Sequence, residues 1–261
     1  LKKGWGATLG LSATPERDFD ENFEDMIVPI LGPIIYEYDY IKGFKDKIIS
    51  NFQLINVYAP MLDDEEQEYA KLSKKIGKRI GILGGLNKKD EILKLLLLQR
   101  RRIINNTFMR IPAAAKIMKK YKNRRWLVFS ETINQAREFK KILEENEFRV
   151  IEYHSKITPS TRQRNLFLLK KDLVDVLITC KSLDEGFNYP ELDSAVILSS
   201  TTTSRQRIQR LGRVLRKSSN KKKSLIISLY SSDDEFDKLK IEQSQFSKIG
   251  VEVEWTRLNL R

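Results

Sequence analysis

Two arginines three residues apart, Arg213 and Arg216 in the run QRLGRVLR (Gln209–Arg216), are the side chains best suited to chemistry in this chain. On a helix that spacing puts both guanidinium groups on one face, where they can converge on a single anion. Arginine is planar and permanently charged, grips phosphate oxygens in two-point fashion, and stabilises charge that develops on a transferring phosphoryl group. The alternative is a solvated basic helix, to which Arg205, Arg207 and Arg210 also belong. A second candidate is the loop around Gly186 and Asn188, closed by Pro190. Glycine lets backbone approach a ligand and proline limits the loop's freedom, although an ordinary loop glycine satisfies the same pattern.

These residues need a scaffold. From residue 126 onward apolar runs recur at Trp126–Phe129, Val150–Tyr153, Val174–Thr179, Ala195–Leu198 and Leu225–Leu229. Helical patterns lie between them at Glu131–Asn146, Pro159–Lys171 and Ser204–Arg216. Strands alternating with helices imply parallel βαβ units and a doubly wound α/β domain. Upstream, Ala7–Leu11 reads as a strand stopping at Ser12-Ala13-Thr14-Pro15, Phe19–Leu31 as an amphipathic helix, and Ile34–Tyr38 and Gln53–Ala59 as strands. Asp63, Asp64, Glu65 and Glu66 crowd the first turn of a helix, and Lys88–Asn106 and Ile111–Tyr121 read as two more.

Composition narrows the class. Forty-eight Lys+Arg against 35 Asp+Glu leave a formal charge of +13. That excess favours a polyanionic partner through counterion release, though a solvated lysine-rich surface has the same balance. One cysteine, Cys180, allows neither an internal disulfide nor a thiolate cluster, which fits an intracellular home. The longest apolar run, Ile92–Leu98, is interrupted by Lys94 and is far short of the ~20 residues that span a bilayer, so no membrane partner is expected. The opening LKKGWGATLGL lacks a signal peptide's apolar region and an initiator Met, which suggests a cut inside a longer chain.

QRLGRVLR resembles helicase motif VI, and the surroundings resemble superfamily 2 helicases in the right order. LGLSATPER (Leu9–Arg17) is similar to motif III, LVFSE (Leu127–Glu131) to motif IV, and TCKSLDEGFNYP (Thr179–Pro190) to motif V. The resemblance covers nearly the whole chain and is nearest the branch of XPB-like helicases and restriction-enzyme motor subunits. It implies an α/β RecA-like parallel sheet flanked by helices, facing a first RecA-like domain across an ATP cleft, with nucleic acid running over both.

On that resemblance Arg213 and Arg216 contact the γ-phosphate and Gln209 helps sense it. Glu185, Gly186 and Asn188 lie near the nucleotide. Thr179, Arg162 and Ser130 contact nucleic acid, with DNA the better expectation than RNA, and Ser12, Ala13 and Thr14 couple nucleotide state to grip. The implied division is 1–62 as the end of the first RecA-like domain, 63–122 as a helical connector, 123–235 as the second RecA-like domain and 236–261 as an extension.

Phosphoryl transfer in this class also needs a GxxxxGK[ST] loop and an acidic pair for magnesium. Neither is present: GILGGLNKK (Gly81–Lys89) lacks the required ending, and DEEQ (Asp64–Gln67) follows the SATP run and reads as a helix start. ATP and magnesium are therefore expected to be held mainly by an N-terminal RecA-like domain outside this sequence. His154 reads as a packed or locally bonded residue. Trp5, Trp126 and Trp255 could stack bases, although Trp126 opens a strand and suits a core. Two rival expectations are a noncatalytic nucleic-acid-binding module that kept the fold, and the motor portion of a restriction or defence complex.

Overall fold

The computed structural model describes residues 8–11, 23–38, 40–48, 51–87, 90–180, 192–199 and 223–257. Its centre is a seven-stranded sheet built from β1 (Phe52–Tyr58), β2 (Trp126–Ser130), β3 (Val150–Tyr153), β4 (Val176–Cys180), β5 (Ser194–Ile197), β6 (Ser224–Tyr230) and β7 (Glu252–Arg257). The strand order is β3-β4-β2-β5-β6-β1-β7, and every pairing among these strands is parallel. Parallel strands need crossover helices, which cover both faces and force the central strands to be apolar on both sides. β2, β4 and β5 accordingly are buried at every position.

Alternate residues of each strand feed two cores. Ile55, Val57, Trp126, Val128, Val176, Ile178 and Ile227 point to one side, where they meet α5 (Arg110–Lys120) and α6 (Ile133–Glu145). Phe52, Leu54, Leu127, Phe129, Leu177 and Ile226 point to the other. There they meet Leu169 of α7 (Pro159–Lys170) and Phe246 of α8 (Asp233–Ser247). This is the doubly wound α/β arrangement expected from the alternating pattern.

Between β1 and α5 the chain forms a helical hairpin, α3 (Asp63–Ile82) and α4 (Glu91–Asn105), clamped by the Arg79–Asp90 ion pair at 2.6 Å. The four acidic residues Asp63 to Glu66 occupy the first turn of α3, so DEEQ is a helix start. Two short helices, α1 (Val28–Leu31) and α2 (Tyr40–Lys45), precede β1, and α1 continues a π-helical turn at Phe23–Ile27.

Several elements differ from expectation. Ile34–Tyr38 alternates in sequence but is no strand: no described strand pairs with it, and Ile35 is 82% exposed. Residues 8–11 likewise carry no strand, with Leu11 89% exposed. The helix expected over Phe19–Leu31 is a π-helical turn running into α1 across its described part, with Pro29 in the first turn of α1. β1 and β7, lying before residue 63 and after residue 235, pair with each other, and β1 pairs with β6 in the same sheet as β2 to β5. No helix among the described residues is long and apolar enough to cross a membrane.

Candidate functional site

Open parallel sheets bind ligands beyond the carboxyl ends of their strands. Here β2 and β4 end side by side, with Phe129 opposite Thr179 and Ser130 opposite Cys180, while β3 places Tyr153 beside Thr179. Thr179 and Ser130 are thus brought together by register. Ser130 is buried, and its hydroxyl lies 3.1 Å from Thr179 O and 3.3 Å from Thr132 O, so its proton is occupied in tying the two strand ends together. The Cys180 thiol donates to Glu131 O at 3.3 Å and reinforces the same tie. Thr179 differs: its Oγ1 is buried with no hydrogen-bond partner, as is Ser199 Oγ just past β5. Orphaned buried hydroxyls cost stability, and both of these lie at the carboxyl ends of the strands.

Arg162 stands on the first turn of α7, whose N-cap Thr158 accepts the Thr161 N–H at 3.2 Å. It is half-buried, with Nε lacking a hydrogen-bond partner. Asn165 donates to Glu152 O at 2.8 Å and locks α7 against β3. His154 is buried at the end of β3, its Nε2 3.7 Å from Glu152 Oε1, too far for a hydrogen bond. Gln209, Arg213, Arg216, Glu185, Gly186, Asn188, Ser12, Ala13 and Thr14 lie outside the described residues.

The largest polar feature of this edge went unread in the sequence. Arg110, on the first turn of α5, has a side chain with no solvent exposure. It donates to Ser231 Oγ at 3.0 Å, Leu198 O at 2.9 Å and Leu229 O at 3.1 Å. Its Nη2 also donates to both carboxylate oxygens of Glu235 at 2.8 and 2.6 Å. One guanidinium therefore joins the ends of β5 and β6 to the start of α8. Glu235 in turn accepts the Ser231 N–H at 2.7 Å, and Ser232 caps α8. Ser232 and Glu235 have the S-x-x-E spacing of a capping box, the one sequence signal that could have drawn attention here. Thr132 and Gln135 repeat it as T-x-x-Q: Gln135 N donates to Thr132 Oγ1 at 3.2 Å, and Gln135 Oε1 accepts the Glu131 N–H at 3.1 Å.

Among the described residues no group of three or more His, Cys, Asp or Glu could hold a metal ion. The edge offers neutral hydroxyls and arginine, donors that suit phosphate oxygens.

Residues 109–218 match the helicase conserved C-terminal domain. A DNA 3'-5' translocase XPB2 from Sulfurisphaera tokodaii is 29% identical over 238 residues, which are 85% of this chain and 52% of that protein. A protein of Sulfolobus islandicus filamentous virus is 28% identical over 240 residues, 91% of this chain and 40% of its own length. The chain thus spans about half, or less, of these curated relatives.

In fold, the Sulfolobus solfataricus SWI2/SNF2 ATPase core domain superposes with a TM-score of 0.57 at 15% identity, over 92% of this chain and 53% of that one. S. cerevisiae Dbp5 bound to RNA and ADP BeF3 superposes with a TM-score of 0.53 at 15% identity, over 92% and 49%. The parallel sheet has an α/β RecA-like fold, and residues 109–218 within it are similar to the conserved C-terminal domain of helicases.

Proposed function

We propose that this chain is the second RecA-like lobe of an ATP-driven DNA translocase or helicase. The observation that carries the reading is the helicase-domain match over residues 109–218, which takes in both Thr179–Pro190 and Gln209–Arg216. In this reading Arg213 and Arg216 reach the γ-phosphate of an ATP held with magnesium by a first RecA-like lobe. Gln209 senses that phosphate, and Glu185, Gly186 and Asn188 adjoin the nucleotide. The arginines act late, stabilising charge on the transferring phosphoryl group. Ser12, Ala13 and Thr14 belong to the coupling between lobes.

Nucleic acid crosses the carboxyl edge. The unpartnered Thr179 Oγ1 donates to a backbone phosphate there and Arg162 neutralises another, while Ser130 holds β2 and β4 at the spacing this requires. DNA is favoured by the translocase relative, whose name specifies it. The test is ATP hydrolysis by the full-length protein containing this chain, without nucleic acid and with matched DNA or RNA duplexes and single strands. DNA should stimulate hydrolysis most. Stimulation by RNA alone would overturn the substrate, and no stimulation by either would overturn the motor.

A further inference from the structure

Among the described residues, α3, α6 and α8 begin at the carboxyl edge soon after β1, β2 and β6 end. The third residue of each caps its own helix. Glu65 Oε2 accepts the Leu62 N–H at 2.9 Å, Gln135 Oε1 the Glu131 N–H at 3.1 Å, and Glu235 Oε2 the Ser231 N–H at 2.7 Å. Such a cap needs one side-chain oxygen, which leaves each residue with a second polar atom.

All three direct that atom at one short segment, Asn105 to Arg110. Glu65 Oε1 accepts the Phe108 N–H at 3.0 Å, Gln135 Nε2 donates to Asn105 O at 2.9 Å, and Glu235 Oε1 receives Arg110 at 2.8 Å. Arg110 adds a fourth strand exit, that of β5, through Leu198 O. The segment is itself the joint between the α3–α4 hairpin and α5, and Asn105, Thr107 and Arg110 are buried in it.

The geometry points to residues 105–110 as a positioning hub, with Glu65, Gln135, Arg110 and Glu235 as its positioning residues. Helix caps act locally, whereas here three of them close on a common segment, so that the exits of β1, β2, β5 and β6 and the base of the hairpin keep one mutual arrangement. The consequence is that loosening one contact loosens the others. For function, which rests on the motor reading above, the hub sets the spacing of the edge on which nucleic acid lies. Its loss weakens grip without removing a phosphate contact.

The test uses Gln135→Glu and Gln135→Ala in the full-length protein. Glutamate keeps an oxygen for the Glu131 N–H but faces Asn105 O with another oxygen, so it preserves the cap and breaks the hub contact. Alanine breaks both. Backbone hydrogen exchange should then quicken in both variants at the distant Leu62 and Ser231 amides, by about two- to thirtyfold, the range of ordinary coupling energies. The nucleic-acid concentration that half-saturates ATP hydrolysis should rise over a similar range, with kcat little changed.

If the glutamate variant exchanges like the parent protein, or only residues beside Gln135 respond, Gln135 is an ordinary cap and the hub is overturned. If the distant amides respond while half-saturation stays fixed, the positioning role is overturned. An unaltered protein that shows no nucleic-acid-stimulated hydrolysis would sink the motor reading instead, and the exchange measurement would still decide the hub.

Discussion

Arg110→Met replaces a fully buried guanidinium with an unbranched apolar chain of similar reach, and its cost follows from the hydrogen bonds that the guanidinium makes. Glu235, whose side chain is 7% exposed, would keep only the Ser231 N–H at 2.7 Å and the Ser232 hydroxyl at 3.4 Å as hydrogen-bond partners near its carboxylate. Breaking a buried ion pair from one side costs about 3–5 kcal/mol, because the surviving charge is left without its partner. Leu198 O and Leu229 O also lose a charged donor, which moves the expected cost toward the upper end, about 5 kcal/mol.

The assay is urea unfolding followed by the fluorescence of Trp126, which is wholly buried in the adjacent core. Glu235→Gln keeps one carbonyl oxygen and removes the charge, so it should cost less than Arg110→Met. The double variant should cost clearly less than the sum of the two, the sign of direct coupling. A loss under about 1 kcal/mol for Arg110→Met, the level of an exposed pair, would show that the buried pair contributes no more than a surface contact, and strict additivity would rule out direct coupling between its partners.

Thr179→Val swaps the orphaned hydroxyl for a methyl, so thermal stability should hold or rise while nucleic-acid affinity falls; unchanged affinity in a binding titration would remove Thr179 from the interface. Hydrogen bonding from Arg149 holds the Asp175 carboxyl below its usual range. A depressed carboxylate contributes stability above its unfolded pKa of about 3.9 and loses it as pH falls through the lower folded value. Arg149→Ala should therefore flatten the acid side of the stability profile measured by urea titration. Because Arg149 is 56% exposed, the loss at neutral pH should be only about 0.5–1 kcal/mol. Phe139→Ala, which empties a fully buried site on α6, should cost about 3–5 kcal/mol in the same unfolding assay.

What could be read from sequence was what acts over short range. The apolar runs of β2, β4 and β6 are buried on both faces, which makes them legible without knowing their neighbours. Asp63 to Glu66 announce a helix start because acidic side chains suit its dipole. Illegible features were those decided by distant partners. Ile34–Tyr38 and Gln53–Ala59 both look like strands, yet only the second, which forms β1 at Phe52–Tyr58, finds edges to pair with, on β6 and β7. The capping spacings at Thr132–Gln135 and Ser232–Glu235 were visible, but the second use of each side chain was not. Glu235 meets Arg110 across 125 residues, and a lone arginine in NTFMRIPAAA carries no local mark of that role. Thr179 and Ser130 were both legible as strand-end residues; which hydroxyl is occupied and which is left over depends on register between β2 and β4.

The motor reading stands most directly on Arg216. In the full-length protein, Arg216→Ala should lower kcat for nucleic-acid-stimulated ATP hydrolysis by about 10³-fold or more, the scale of an arginine finger, while ATP affinity measured without turnover changes only a few-fold. Equal losses of hydrolysis and affinity would make Arg216 a ground-state ligand, and hydrolysis at the unaltered rate would deny it any part in phosphoryl transfer.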